Sequence, residues 1–83
     1  MTRAEVAEKL RGFLQSKAPG GKALSLTDTT LLREEWRLTS LGILETVSFI
    51  EDEFDVMMTQ LDISAANFST VVTLAEFVLS RMK

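Results

Sequence analysis

The chain has 83 residues, 46% of them hydrophobic and 25% charged, which is typical of one small globular domain over residues 1–83. It contains no cysteine, histidine or tyrosine. A disulfide framework, a cysteine metal site and the usual nucleophile–base pairs are therefore excluded, and we predict that the chain is not an enzyme.

Charge is distributed unevenly along the chain. The net charge is −3, but residues 1–37 sum to +2 whereas residues 38–83 sum to −5, and no basic residue lies between Arg37 and Arg81. An acidic field of this kind repels nucleic acid and anionic membranes and favours basic patches on proteins. We therefore predict a protein partner and no nucleic acid.

The spacing of hydrophobic residues predicts three main helices, over residues 2–17, 40–54 and 70–81. The PGG segment at 19–21 ends the first helix. A long connection occupies 18–39, a length that is uncommon in compact domains and is often functional. Residues 55–69 break the helical pattern apart from one short helical turn near 63–67. We therefore predict an all-α fold, a small four-helix bundle of three main helices and one short helix with a long first loop.

The predicted core consists of the hydrophobic residues that share one face of each helix. They are Val6, Leu10, Phe13 and Leu14 in the first helix, Ile43, Val47, Ile50 and Phe54 in the second, and Val71, Leu74 and Val78 in the third. Residues of the long connection that we expect to anchor it to this core are Leu24, Leu26, Leu31, Leu32 and Trp36. Phe49 points to a third side of the second helix, and we predict that it packs against the first helix or the loop.

Two further features of the sequence bear on location and metals. The N-terminal residues contain no apolar h-region, and no apolar run approaches the roughly 20 residues that span a bilayer. We therefore expect a monomeric cytoplasmic protein with no membrane insertion. We predict no metal site, because the acidic residues at 51–55 lack the alternating oxygen ligands of a calcium loop.

Ser40 lies in Leu38-Thr39-Ser40-Leu41-Gly42, where the long connection gives way to the second helix. The start of a helix has unpaired backbone N–H groups and a partial positive charge, so a phosphate ester on a hydroxyl there is stabilised. We predict that Ser40 caps the helix and that its hydroxyl faces solvent, where it can be phosphorylated or joined to a phosphodiester. The alternative is an unmodified N-cap serine.

Beside its core face, the second helix carries a stripe in which two leucines near the helix start are followed by carboxylates. A small apolar patch rimmed by acids suits a reversible docking surface. The alternative is that Leu41 and Leu44 pack under the long loop while the acids are merely solvated. The predicted docking residues are Leu41, Leu44, Glu45, Ser48, Glu51 and Asp52.

The run from Ser40 to Phe54, SLGILETVSFIEDEF, resembles the acyl carrier protein family without a gap. Segments 67–71 and 74–78 also resemble the start of that family's final helix, so the resemblance covers essentially the whole chain. It implies a freestanding four-helix carrier whose Ser40 is esterified with 4′-phosphopantetheine by a transferase that uses coenzyme A and magnesium. The thiol of this arm would hold an acyl or aminoacyl group as a thioester in fatty-acid, polyketide or related biosynthesis.

The same resemblance implies the partners. They would be a phosphopantetheinyl transferase, a ligase that loads the arm, and downstream synthases or transferases whose basic patches bind the acidic second helix. Two positions depart from the family pattern, because Thr39 stands where Asp is usual and Gly42 stands where an acid is frequent. The Gly-Gly-x-Ser pattern of many peptidyl carriers is absent, which favours an acyl or freestanding aminoacyl carrier. The alternative function is an unmodified carrier-like interaction module.

Overall fold

The computed structural model describes residues 1–17, 26–36 and 38–82. Its regular elements are α1 (Arg3–Ser16), α2 (Ser40–Phe54), a 3₁₀ turn (Gln60–Asp62) and α3 (Val71–Arg81), and no strand occurs in these ranges. The prediction of an all-α fold with three main helices is confirmed. The predicted short helix near 63–67 is not present, because the segment forms only a single 3₁₀ turn a few residues earlier.

The three helices begin at threonine caps. The Thr2 hydroxyl accepts a hydrogen bond from the Glu5 N–H at 3.2 Å, and the Glu5 carboxylate accepts one from the Thr2 N–H at 2.8 Å, which completes a capping box. Thr70 caps α3 by accepting from the Thr73 N–H at 3.1 Å. At α2 the cap is Thr39, whose extended backbone directs its hydroxyl at the Gly42 N–H, 3.1 Å away. The prediction that Ser40 is the cap is therefore wrong, because Ser40 is the first helical residue.

The core is formed by one face of each helix together with anchors from the long connection. Its buried members are Val6, Ala7, Leu10 and Leu14 of α1, Ile50 and Phe54 of α2, Val71, Leu74, Ala75 and Val78 of α3, and Leu26, Leu32, Trp36, Val56 and Phe68 outside the helices. Predicted core residues that are only half-buried are Phe13, Ile43 and Val47. Leu31 is exposed, contrary to prediction, and Leu24 lies outside the described residues.

Backbone hydrogen bonds hold the connection before α2 against the start of α3. The Leu32 N–H donates to the Ser69 carbonyl at 2.9 Å, and the Val72 N–H donates to the Asp28 carbonyl at 3.0 Å. Asp28 also forms an ion pair with Arg11 of α1. The Leu38 N–H then donates to the Leu32 carbonyl at 2.8 Å. These bonds position the residues that immediately precede Ser40.

The segment between α2 and α3 is organised around Asp62, which is buried. Its carboxylate accepts hydrogen bonds from the Thr59 N–H at 2.8 Å and from Arg81 Nη2 at 2.6 Å. Its backbone carbonyl accepts a third from Asn67 Nδ2 at 2.9 Å. The bond from the Thr59 N–H, assisted by the Arg81 guanidinium, holds the pKa of Asp62 below its ordinary value.

Candidate functional site

Ser40 lies on the surface at the first position of α2. Within the described part of the chain its hydroxyl forms no hydrogen bond, because Thr39 supplies the cap. Thr39 satisfies the N–H groups of Gly42 and Ile43 through its hydroxyl and carbonyl, respectively. The N–H groups of Ser40 and Leu41 have no partner among the described residues, and the first turn carries no acid. An anion bonded to the Ser40 oxygen would therefore lie close to two N–H groups that have no partner in the described ranges, and to the positive end of the helix dipole.

Five of the six predicted docking residues lie on the exposed side of α2. They are Leu41, Leu44, Glu45, Ser48 and Asp52. Leu41 is 67% exposed and Leu44 is 58% exposed, so the alternative in which both pack under the long loop is wrong. Residues 41, 45, 48 and 52 follow one another at helical spacing, which places the leucine and the acids on one continuous stripe.

Glu51 differs from the other predicted docking residues. It is half-buried, and its carboxylate accepts a hydrogen bond from the Met58 N–H at 3.1 Å. This bond ties α2 to the segment that follows it, where Asp55 ends the helix in a left-handed conformation with φ of 55°. Glu51 therefore has a structural role that its place in an acidic run did not indicate.

A pocket of about 190 Å³ lies between the end of α1 and the start of α2. Its walls are mainly apolar and include Phe13, Trp36, Leu38, Leu41 and Gly42. Gly42 matters here, because a Cβ atom at this position would lie 2.8 Å from Leu38 Cδ1. The absence of a side chain at position 42 lets Leu38 pack over the first turn of α2, which gives a physical reason for a glycine where the resembling family often has an acid.

A shallow groove of about 390 Å³ runs between α1 and α2 beyond this pocket. Phe13 of α1 stacks on Phe49 of α2 with ring centroids 4.3 Å apart, and Phe49 meets Phe54 edge to face. The prediction was that Phe49 packs against the first helix or the loop, and the structure shows the first helix. Lys9 and Glu53 form an ion pair across the same two helices at 3.0 Å. Sequence reasoning did not find the pocket or the groove, since both depend on how α1 and α2 pack together.

The comparisons with known proteins add no family assignment. No protein-family model matches the chain, and no curated protein matches it. None of the helices in the described ranges has both the length and the apolar character needed to cross a membrane. The same residues contain no group of three or more acidic side chains arranged to hold a metal ion.

Proposed function

We propose that this chain is a carrier protein whose Ser40 bears 4′-phosphopantetheine, in a bundle of the acyl carrier type. The observation that supports it is the exposed Ser40 hydroxyl at the start of α2, which forms no hydrogen bond within residues 1–17, 26–36 and 38–82 and lies next to a separate cap at Thr39. A serine that served as the cap would have its oxygen engaged by a backbone N–H. Here the cap is retained whether or not Ser40 is esterified.

The modification is a phosphoryl transfer from coenzyme A. The Ser40 oxygen loses its proton and attacks the phosphorus that carries the pantetheine, the pyrophosphate P–O bond breaks, and 3′,5′-adenosine diphosphate leaves. The transferase, with magnesium, catalyses this step. When bound, the arm supplies the thiol that a chain without cysteine lacks. An acyl or aminoacyl group on that thiol would be presented to successive enzymes at high effective concentration.

The exposed stripe of α2 would be the surface by which those enzymes bind. Leu41 and Leu44 provide an apolar contact near Ser40, and Glu45 and Asp52 provide charge farther along the helix. Basic patches on a transferase, a loading ligase or a downstream synthase complement these charges. Such a surface gives brief, salt-sensitive binding, which suits a protein that must visit several partners.

Intact mass spectrometry tests the attachment. The protein is incubated with coenzyme A, Mg²⁺ and a broad-specificity phosphopantetheinyl transferase, and we expect a mass increase of one phosphopantetheinyl group. Ser40→Ala should abolish the increase, whereas Ser48→Ala, which alters another exposed serine of α2, should retain it. Circular dichroism establishes that both variants are folded. No increase in the wild type, or an increase that persists in Ser40→Ala, contradicts the proposal.

A second candidate is an interaction module that is not modified, and Thr39 is the observation that favours it, since it brings no negative charge beside Ser40. This function predicts partner binding that is unchanged in Ser40→Ala and lost in Asp52→Lys. Asp52 is the better site for charge reversal than Glu51, because the Glu51 carboxylate is bonded to the Met58 N–H. A pull-down that compares Ser40→Ala with Asp52→Lys, combined with the mass measurement, separates the two functions, because this module binds its partner although the transferase adds no mass to the wild type.

A further inference from the structure

The segment that joins α2 to α3 buries little apolar surface between its two ends. Val56 and Phe68 are buried at these ends. Between them, in residues 57–67, which the structure describes throughout, the only buried residue is Asp62, and Leu61 is 91% exposed. We call residues 57–67 the strap. Because so little apolar surface is buried, the hydrophobic effect contributes little to holding the strap closed.

Two polar contacts join the strap to helices within the described residues. The Glu51 carboxylate of α2 accepts a hydrogen bond from the Met58 N–H at 3.1 Å, and the Asp62 carboxylate accepts one from Arg81 of α3 at 2.6 Å. The Arg81 guanidinium lies 4.9 Å from the centre of the Phe77 ring, which stabilises its position. Without Arg81 the buried Asp62 carboxylate would lose its counter-charge, and exposure of this carboxylate to water would become more favourable.

The other hydrogen bonds of the strap are short-range. The Ile63 N–H donates to the Gln60 carbonyl at 3.2 Å, and the Asn67 N–H donates to the Ser64 hydroxyl at 3.2 Å. Single turns of this kind are unstable in water without tertiary contacts. The turns of the strap are therefore lost when its contacts with the helices are broken.

We propose that the strap opens by local unfolding while the three helices stay folded, and that the Asp62–Arg81 ion pair keeps it closed. Opening exposes the side chains of Met58 and Ile63, which are half-buried against the core in the closed state. It also separates the end of α2 from the end of α3, since the strap is bonded to both. α1 and α3 pack directly on each other and stay together. The inference does not need Ser40 to be modified, so it is tested separately from the carrier function.

Hydrogen exchange of each backbone amide, followed by NMR in the full-length protein at increasing urea concentrations, tests the local opening. We expect the strap amides of Thr59, Ile63 and Asn67 to share one free energy of opening. It should be smaller than that of the amides of Leu10 and Leu74, which are buried in α1 and α3. It should also depend less on urea, because local opening exposes less surface than global unfolding.

Matched arginine variants test the role of the ion pair. Arg81→Gln should speed exchange of the strap amides about tenfold, the low end for a hydrogen bond to a charged group, because the Arg81 side chain is 42% exposed. Arg81→Lys retains the charge and should have a smaller effect. Arg3→Gln is the control, because it breaks another ion pair with α3, between Arg3 and Glu76 at 2.9 Å. That pair joins α1 to α3 and stays intact when the strap opens, so exchange of the strap amides should change less than about twofold.

Other results would overturn the inference. If the strap amides have the same free energy of opening and urea dependence as the helix amides, the strap opens only when the whole molecule unfolds. If they exchange without protection in the wild type, the ion pair does not keep the strap closed. Equal effects of Arg81→Gln and Arg3→Gln would show that the pair with Asp62 has no special role. The urea dependence in the wild type decides whether opening is local even if Arg81→Gln does not fold.

Discussion

At the scale of single residues, two neighbouring side chains at the start of α2 have different roles, one as the helix cap and the other as an exposed hydroxyl. Thr39 accepts the hydrogen bond from the Gly42 N–H, and Ser40 keeps an exposed hydroxyl. Because the cap does not depend on Ser40, esterification of its oxygen should leave the start of α2 intact. The same division makes Thr39 the residue at which helix stability and recognition by a transferase can be tested separately.

Thr39→Asp should retain the cap and add a negative charge immediately before Ser40. Asp caps helices at least as well as Thr and interacts favourably with the helix dipole. We therefore expect the free energy of unfolding to rise, or to fall by less than about 0.5 kcal/mol. We also expect faster phosphopantetheinylation, measured as the initial rate of the mass increase. Thr39→Ala is the control and should cost about 1 kcal/mol of stability. A slower rate in Thr39→Asp than in the wild type would refute the predicted recognition of the charge.

At the scale of secondary-structure elements, the two helical glycines differ in what surrounds them. A Cβ atom on Gly12 of α1 would meet nothing within 4 Å, whereas one on Gly42 of α2 would lie 2.8 Å from Leu38 Cδ1. Alanine gains helix propensity at either site by reducing the freedom of the unfolded chain. Only at Gly42 must a neighbouring side chain move to admit it.

We therefore predict that Gly12→Ala raises the free energy of unfolding by about 0.5–1 kcal/mol. Gly42→Ala should give a smaller gain, since displacement of Leu38 offsets part of it. Urea denaturation of both variants beside the wild type measures the difference. Equal gains at the two positions would show that Leu38 moves without cost and that its packing over α2 contributes no stability.

The predicted helix bounds agree with the structure where hydrophobic residues recur at helical spacing over a long segment and a capping residue precedes them. The predicted range 40–54 for the second helix is the observed range of α2, because hydrophobic residues recur from Ile43 to Phe54 and a polar cap precedes them. The short helix was misplaced, since a three-residue 3₁₀ turn is too short to show a period. Asp62 was missed for a different reason. Its carboxylate is bonded by Arg81, which is 19 residues away in sequence, and no local pattern indicates such a contact.

At the scale of the whole molecule, the features of the site that lie on a single helix could be predicted from the sequence. The features that form only where two helices pack together could not. Ser40, Leu41 and Leu44 are local features of α2, and their exposure agrees with prediction. The groove requires Phe13 to meet Phe49, 36 residues later in the chain. Periodicity shows which face each residue occupies but not which faces meet, so long-range pairing has to come from the structure.

Asp62 connects the turn before α3 to the end of that helix, and it should make the stability of the whole molecule depend on pH. Its pKa in the folded state lies below the ordinary value of 3.8, chiefly because its carboxylate accepts from the Thr59 N–H. The unfolded chain therefore binds this proton more readily than the folded one. The stabilisation is fully present above about pH 5 and is lost as the pH falls through the lowered folded pKa.

We predict that Asp62→Asn lowers the midpoint of thermal unfolding near neutral pH and reduces its further decline in acid. The amide cannot ionise, and it cannot keep both the Thr59 bond and the ion pair with Arg81. Thermal unfolding between about pH 2 and pH 7 measures the difference between the variant and the wild type. Asp55→Asn, which removes an exposed carboxylate that forms no ion pair in the described ranges, is the matched control. If Asp62→Asn and the wild type lose stability in parallel as the pH falls, the proton is taken up elsewhere, and Glu5, whose pKa is also lowered by its hydrogen bonds with Thr2, becomes the residue to test.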